Sequence, residues 1–318
     1  MKTQTAIVAF VVAILLAGCG GTQSVEIDSI NGYLNGKKHG HWVERLANDA
    51  GTAEGPYING KRHGRWVVRD ADGSVGDGFF VDDERHGRWL LRDANGDVAE
   101  GPFVNGKQTG RWVLQFADGS MAEGPMVGGK QNGPWVLRWP NGDVAEGPYL
   151  DGKQYGFWVL RFADGRVHEG PMVNDKRHGQ WILRFADGTV DEGFYADGQK
   201  HGHWFERFAD GSVQEGQYVN DRENGIWVLR LADGGVQEGA MVNGKRHGRW
   251  VERFADGTVQ EGPFVDGKKH GRWVAQSADG SVGEGTFVDG KLHGPWVLLK
   301  ANGDVQVKCY ENGSEVDC

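Results

Sequence analysis

Carboxylates recur at one position of this 318-residue chain: Glu54, Asp77, Glu100, Glu123, Glu146, Glu169, Glu192, Glu215, Glu238, Glu261 and Glu284. Paired carboxylates cleave glycosidic bonds when they face each other across one bond, within about 10 Å. These acids instead follow one another at a 23-residue interval, and a repeat spreads its copies along a line. A structural role is expected, with each acid pairing to an Arg column on the same sheet: Arg69, Arg92, Arg138, Arg161, Arg184, Arg207, Arg230 and Arg253. Histidines also form a row before a glycine: His39, His63, His86, His178, His201, His247, His270 and His293. A metal needs ligands converging to about 2 Å, whereas row members two strands apart stand about 10 Å from each other. His39 with His41, and His201 with His203, are the close pairs. The run Asp93-Ala94-Asn95-Gly96-Asp97 hints at a calcium loop, but its glycine is misplaced for an EF-hand. No zinc-protease, nucleophile-elbow or phosphate-loop motif occurs. The chain is therefore expected not to be an enzyme, with no catalytic residue, no metal and no cofactor assigned.

A basic row offers binding rather than catalysis. Lys37, Lys61, Lys107, Lys130, Lys153, Lys176, Arg222, Lys245, Lys268 and Lys291 lie five residues before a tryptophan, with Glu84 and Gln199 as exceptions. The opposite turns carry Asp in eight of twelve units, among them Asp72, Asp118, Asp187 and Asp256. Stacked in register, such hairpins would have one cationic and one anionic edge, able to meet lipid phosphates, wall polymer or an acidic protein, or simply to keep the sheet soluble. The formal net charge of -9 disfavours nucleic acid, which needs a positive field.

The element that must position these rows is a repeat. Trp66, Trp89, Trp112, Trp135, Trp158, Trp181, Trp204, Trp227, Trp250, Trp273 and Trp296 recur every 23 residues, and Trp42 precedes them by 24 because the stretch 48–51 carries one extra residue. A fixed period means a stacked array of one supersecondary unit. In Trp135-Val136-Leu137-Arg138-Trp139, alternation puts the bulky apolar residues on one face and Arg on the other. The return strand holds pairs such as Met126-Val127 and Phe264-Val265, preceded in six units by Pro56, Pro102, Pro125, Pro148, Pro171 or Pro263. Proline lacks a ladder donor, so it must sit at a strand start or bulge. Asn-Gly or Asp-Gly follows the Trp strand in eleven of twelve units, and often forms the opposite turn as well. Glycine two before the repeat tryptophan in all twelve units, Gly40 to Gly294, implies either a backbone only glycine accepts or an indole packed against it. The expected fold is all-β: an elongated antiparallel sheet of about twelve 23-residue β-hairpins, a single-layer rod or curved ribbon. The indoles are expected to form its core; exposed, they would instead suit a glycan chain.

The pattern D-G-x-V-x-E-G-x-φ-V-N-G-K-x-H-G-x-W, with φ apolar, resembles the MORN repeat, in the bacterial variant of YwqK-family antitoxins, over roughly residues 30–313. That resemblance implies an elongated run of β-hairpins and no catalytic residues. It implies scaffolding, self-association or phospholipid contact, with an immunity-type partner role as the alternative.

The amino terminus reads as a targeting segment. Lys2 and the apolar run Ala6 to Leu16 have the length of a signal peptide rather than a membrane span. Leu16-Ala17-Gly18-Cys19 resembles the bacterial lipobox, which implies cleavage after residue 18 and acylation of Cys19. The domains expected are thus a leader at 1–18, a lipidated linker at 19–30, the array at 31–313 and a capping hairpin at 305–318. A lipid anchor implies an envelope location outside the cytoplasm, on the outer membrane if the cell has one. The expected partners are the membrane and a protein or envelope polymer, with self-association also open. Cys309 and Cys318 remain as a pair. A disulfide between them is expected, because a Gly313-Ser314 loop sets them opposite each other; the alternative is two free thiols or an Asn312-Gly313 turn that puts Cys309 opposite Val316.

Overall fold

The computed structural model describes residues 32–318; the leader, Cys19 and the linker lie outside the described residues. The chain divides into two compact units. The described part of the first comprises residues 32–163 and 173–175, and the second residues 164–172 and 176–318. Each is built from antiparallel hairpins, with ladders between strands that are neighbours in sequence.

One hairpin of the first unit shows the plan. Gly64–Asp70 carries Trp66 and pairs with Val75–Val81, which pairs onward with Glu84–Arg92. The turn after the Trp strand is closed by Gly73 N–H donating to Asp70 O and Asp70 N–H donating to Ser74 O. The opposite turn is tighter. Asn59 and Gly60 have φ of 54° and 85°, the two successive left-handed residues of a type I′ hairpin, which is why Asn-Gly recurs there. These tight turns also join repeat to repeat, as Gly60 N–H donates to Lys38 O and Gly106 N–H to Arg85 O. The extra residue before Trp66 is absorbed in a short 3-10 segment, Ala47–Asp49, with Asn48 at φ 58°.

The second unit repeats the plan from Gly179–Arg184 and Val190–Ala196 to Lys291–Leu299 and Val305–Glu311. Here the effect of proline is visible by contrast. After Phe194, Gln217, Ala240 and Thr286, the next Trp strand is continuous over nine residues, as in Gln199–Arg207 and Arg222–Arg230, and a register shift marks a bulge beside that residue. After Pro263 the strand is split into Lys268–Lys269 and Gly271–Gln276. The missing N–H removes one bond of the pair, while the other survives: His270 N–H still donates to Pro263 O at 2.9 Å.

At the carboxyl end, Ser314–Val316 folds back on Val305–Glu311 with Cys309 opposite Val316. The turn is therefore centred on Asn312-Gly313, whose φ values are 51° and 89°, and the Gly313-Ser314 register is corrected. Cys309 and Cys318 are nevertheless joined as a disulfide across Cα atoms 5.1 Å apart.

Candidate functional site

The tryptophan row is the inner spine of both units. Trp42 through Trp273 are buried at 3% exposure or less, and Trp296 is half-buried. An indole buried this deeply needs a partner for its N–H. In ten repeats, Trp66 to Trp273, Nε1 donates to the carbonyl ten residues earlier at 2.8–3.2 Å. In six of them that carbonyl belongs to the proline. Pro56 O takes both the Trp66 indole N–H and the His63 backbone N–H, so the proline positions an acceptor as well as withholding a donor.

Aromatics of the return strands fill the gaps between indoles. In the first unit, Trp66, Phe80, Trp89, Phe103 and Trp112 meet edge to face at 5.1–6.2 Å. In the second, Trp181, Tyr195, Trp204, Tyr218 and Trp227 do the same at 5.2–6.1 Å. Such pairs contribute about 0.5–1.5 kcal/mol each beyond the area they bury. Held this way, the indoles are core residues.

Two glycine columns serve the row differently. Glycine two before tryptophan has φ between 64° and 101° in all twelve units, so its backbone conformation accounts for the column. The glycine that abuts the indole is the one after the acidic column. A Cβ on Gly78, Gly101 or Gly193 would lie only 2.2–2.5 Å from ring carbons of Trp89, Trp112 or Trp204.

The acidic column lies on the other face and finds arginines in two ways. Arg161–Glu146, Arg184–Glu169, Arg230–Glu215 and Arg253–Glu238 pair at 2.5–3.3 Å through the Arg three residues after tryptophan. Arg65–Asp77, Arg88–Glu100, Arg111–Glu123 and Arg249–Glu261 pair at 2.5–2.7 Å through the residue just before it, and Arg272 pairs with Glu284 in the same manner. Sequence reasoning missed this second column, although its Arg alternates with the tryptophan on the strand. The Arg65 guanidinium holds the Asp77 carboxyl below its ordinary value, and Arg88 does the same to Glu100. These exposed pairs fix side-chain positions and add little stability.

The turn aspartates are occupied by their own backbone. Asp72, Asp118, Asp187 and Asp256 each accept the N–H two residues on at 2.8 Å, and for Asp72, Asp187 and Asp256 this hydrogen bond lowers the carboxyl pKa. The basic row, Lys37, Lys61, Lys107, Lys130, Lys153, Lys176, Lys245, Lys268 and Lys291, is exposed throughout. It is not purely cationic, because Asp151, Asp266 and Asp289 stand two residues before Lys153, Lys268 and Lys291 in the same turns. Opposite the lysines stand exposed aliphatics: Ile58 against Lys61, Val104 against Lys107, Val127 against Lys130 and Leu150 against Lys153. The edge is thus amphipathic, a row of apolar knobs beside a row of ammonium groups.

The histidine row converges on nothing. Among the described residues no three His, Cys, Asp or Glu side chains are placed to hold a metal ion. His41 and His203 turn to acids of the column, at 3.0 Å from Glu54 and 3.8 Å from Glu215.

A further column, four residues before tryptophan, lies on the indole face and was not singled out from sequence. Lys38, Arg85, Arg177, Lys200, Arg246 and Lys269 hold their cations 3.8–4.8 Å from the centroids of Trp42, Trp89, Trp181, Trp204, Trp250 and Trp273. Where the residue two after tryptophan is Glu instead of an aliphatic, the same cations neutralise it: Lys200–Glu206 at 3.0 Å, Arg246–Glu252 at 2.7 Å, and Lys38 with Glu44. Tyr57 and Tyr218 donate to Glu44 and Glu206 at 3.0 and 3.2 Å. Burial and then these carboxylates push both phenols upward. The signal available in the sequence was covariation, since Lys or Arg occupies the first position wherever Glu occupies the second.

Comparison with known proteins bears on this geometry. The MORN repeat model matches residues 168–190, 192–213, 238–259 and 284–305. No curated protein matches the chain. Among solved structures, the TCP10 domain of Danio rerio CPAP in complex with a STIL peptide is 14% identical, with 80% of this chain and 94% of that one covered and a TM-score of 0.28. The Drosophila melanogaster SAS-4 TCP domain in complex with a proline-rich motif of Ana2 is 15% identical over 55% of this chain and 83% of that one, with a TM-score of 0.27. Scores this low do not extend to function. The hairpins with their buried indoles, positive-φ glycines and type I′ turns are, at those four places, MORN repeats.

Proposed function

We propose that this chain is a non-enzymatic repeat scaffold of the bacterial envelope, tethered by a lipid on Cys19, which binds a protein partner along the amphipathic edge of its hairpins. The observation that carries the reading is the exposed double row, in which Ile58, Val104, Val127 and Leu150 face Lys61, Lys107, Lys130 and Lys153. Repetition of one weak contact gives binding strength without any deep pocket, because later contacts along an array form at high effective concentration. Apolar knobs flanked by ammonium groups suit an acidic, amphipathic polypeptide better than a fully hydrated polymer.

The test uses intact cells with a photo-crosslinking residue at Lys130 or, as a control, at Asp187 in the opposite turns. Crosslinks to a defined protein from Lys130 and not from Asp187 support the scaffold. Equal crosslinking from both ends, or none, contradicts it. A captured toxin would move the assignment to an immunity partner. Cys19→Ala tests the tether separately, since the variant is expected to leave the membrane fraction.

A further inference from the structure

The cation that lies over the indole in other repeats of the second unit is replaced once by a carboxylate. Four residues before tryptophan stand Arg177, Lys200, Arg246 and Lys269 in four of its repeats, Leu292 in the last, and Glu223 before Trp227. Among the described residues no Lys or Arg is placed over the Trp227 ring. A cleft of about 140 Å³ opens at this repeat. Glu223, Gln214, Trp227, Met241 and Trp250 line it, with Arg246 on one wall. The Arg246 charge is already committed, through 2.7 Å to Glu252 and 2.5 Å to Gln237.

The Glu223 carboxylate has one neutral hydrogen-bond donor, Gln214 Nε2 at 3.3 Å. Burial, then the charge of Glu206, pushes its pKa up in spite of the Lys200 charge, so the positive charge that reaches it does not offset its burial. An indole face is attractive to cations, and a half-buried carboxylate beside it adds direction. We infer that the cleft over Trp227 is a binding site for an organic cation, a guanidinium or alkylammonium head, which takes the place that Lys200 or Arg246 holds in its own repeat and pairs with Glu223. The cleft admits such a head and the start of its chain, not a polymer segment. The head can come from a free amine or from a Lys or Arg side chain of a partner. The site is independent of the amphipathic edge, so failure of one leaves the other standing.

The experiment titrates the full chain with ethylguanidinium, butylammonium and a blocked Ala-Arg-Ala peptide, following the Trp227 indole N–H resonance, assigned by Trp227→Phe. Acetamide and acetate are the neutral and anionic controls. Saturable binding with Kd on the order of 1 mM is expected for the cations. The peptide binding at least tenfold tighter than ethylguanidinium identifies a polypeptide source, and the reverse a free amine. Glu223→Lys supplies the tethered cation, so binding should fall at least tenfold and the melting temperature should rise. Glu223→Gln keeps the shape and should weaken binding about tenfold, which decides the matter if the lysine variant fails to fold. Two results would overturn the site: no saturation for the wild type by about 100 mM cation, or binding equal in wild type and Glu223→Gln.

Discussion

In the first unit, the position two before the indole-abutting glycine is Ala53, Gly76, Ala99, Ala122 and Ala145; in the second it begins His168, Asp191, Gln214, Gln237 and Gln260. The facing column, two after tryptophan, runs Glu44, Val68, Leu91, Leu114, Leu137 and Leu160 in one, and Leu183, Glu206, Leu229, Glu252, Ala275 and Leu298 in the other. Both units bury the same indole row, yet after the first repeat, where Lys38 closes Glu44, one lines it with alkyl groups, and the other lines it largely with carboxylates and amides closed by Lys200, Arg246 and Lys269. The backbone repeat therefore tolerates either chemistry on that face, provided each buried charge has its partner. A surface that varies while its frame is constant is where specificity can be built.

Exchanging the two chemistries is the sharpest way to break this comparison. Leu114→Glu places a carboxylate where the neighbouring positions four before tryptophan are Gln108 and Gln131. With no cation in reach it should cost about 3–5 kcal/mol, measured by chemical denaturation. Lys200→Ala is the converse in the second unit, stripping Glu206 and Asp191 of their shared ammonium at 3.0 and 3.6 Å, and a loss of similar size is expected. Gly101→Ala, which drives a methyl into the Trp112 ring, should cost about 1–3 kcal/mol or unfold the repeat locally.

Acid sharpens the contrast. Burial, then Arg177 and Arg166, pushes the His168 imidazole down to about 4. A depressed His pKa gives stability that is present above the unfolded value near 6.5 and lost as pH falls toward 4, at no more than about 1.4 kcal/mol per pH unit. Glu223 and Asp191 act oppositely: burial raises both carboxyls, so their ionisation opposes folding at neutral pH and that penalty fades as pH falls through the raised values. His168→Ala should flatten the loss of the second unit's stability between pH 6.5 and 4, and Glu223→Gln should stabilise the fold at pH 7. If neither shifts the denaturant midpoint, the polar lining is not coupled to folding.

Replacing the whole cluster together, Asp191→Ala, Lys200→Met, Glu206→Leu and Tyr218→Phe, should change stability by less than about 1 kcal/mol, since a buried ion pair and aliphatics of similar size are nearly interchangeable. A large loss would mean that the polar face is not equivalent to the apolar one. Arg88→Ala, on the opposite face, should leave the midpoint nearly unchanged, because its pair with Glu100 is open to solvent.

The hairpin, its period and its core row were legible in the sequence because Trp every 23 residues and Asn-Gly turns report backbone geometry directly. Proline was legible as a break in the ladder, but its second task, accepting the indole N–H, needed the position of Trp66 relative to Pro56. The disulfide partners were legible by counting, whereas the Asn312-Gly313 turn was fixed by two successive positive φ values. The cation layer was missed for a physical reason. Lys38 or Arg246 in a polar loop reads as solvated, and only the three-dimensional register shows its charge folded back over an indole.

The tryptophans are the buried spine of the hairpins. Acrylamide quenching of the intrinsic fluorescence, with and without cell-wall glycan, tests this most directly. Blue-shifted emission, weak quenching and no response to glycan are expected. Red-shifted emission that acrylamide quenches freely and glycan protects would contradict a buried spine.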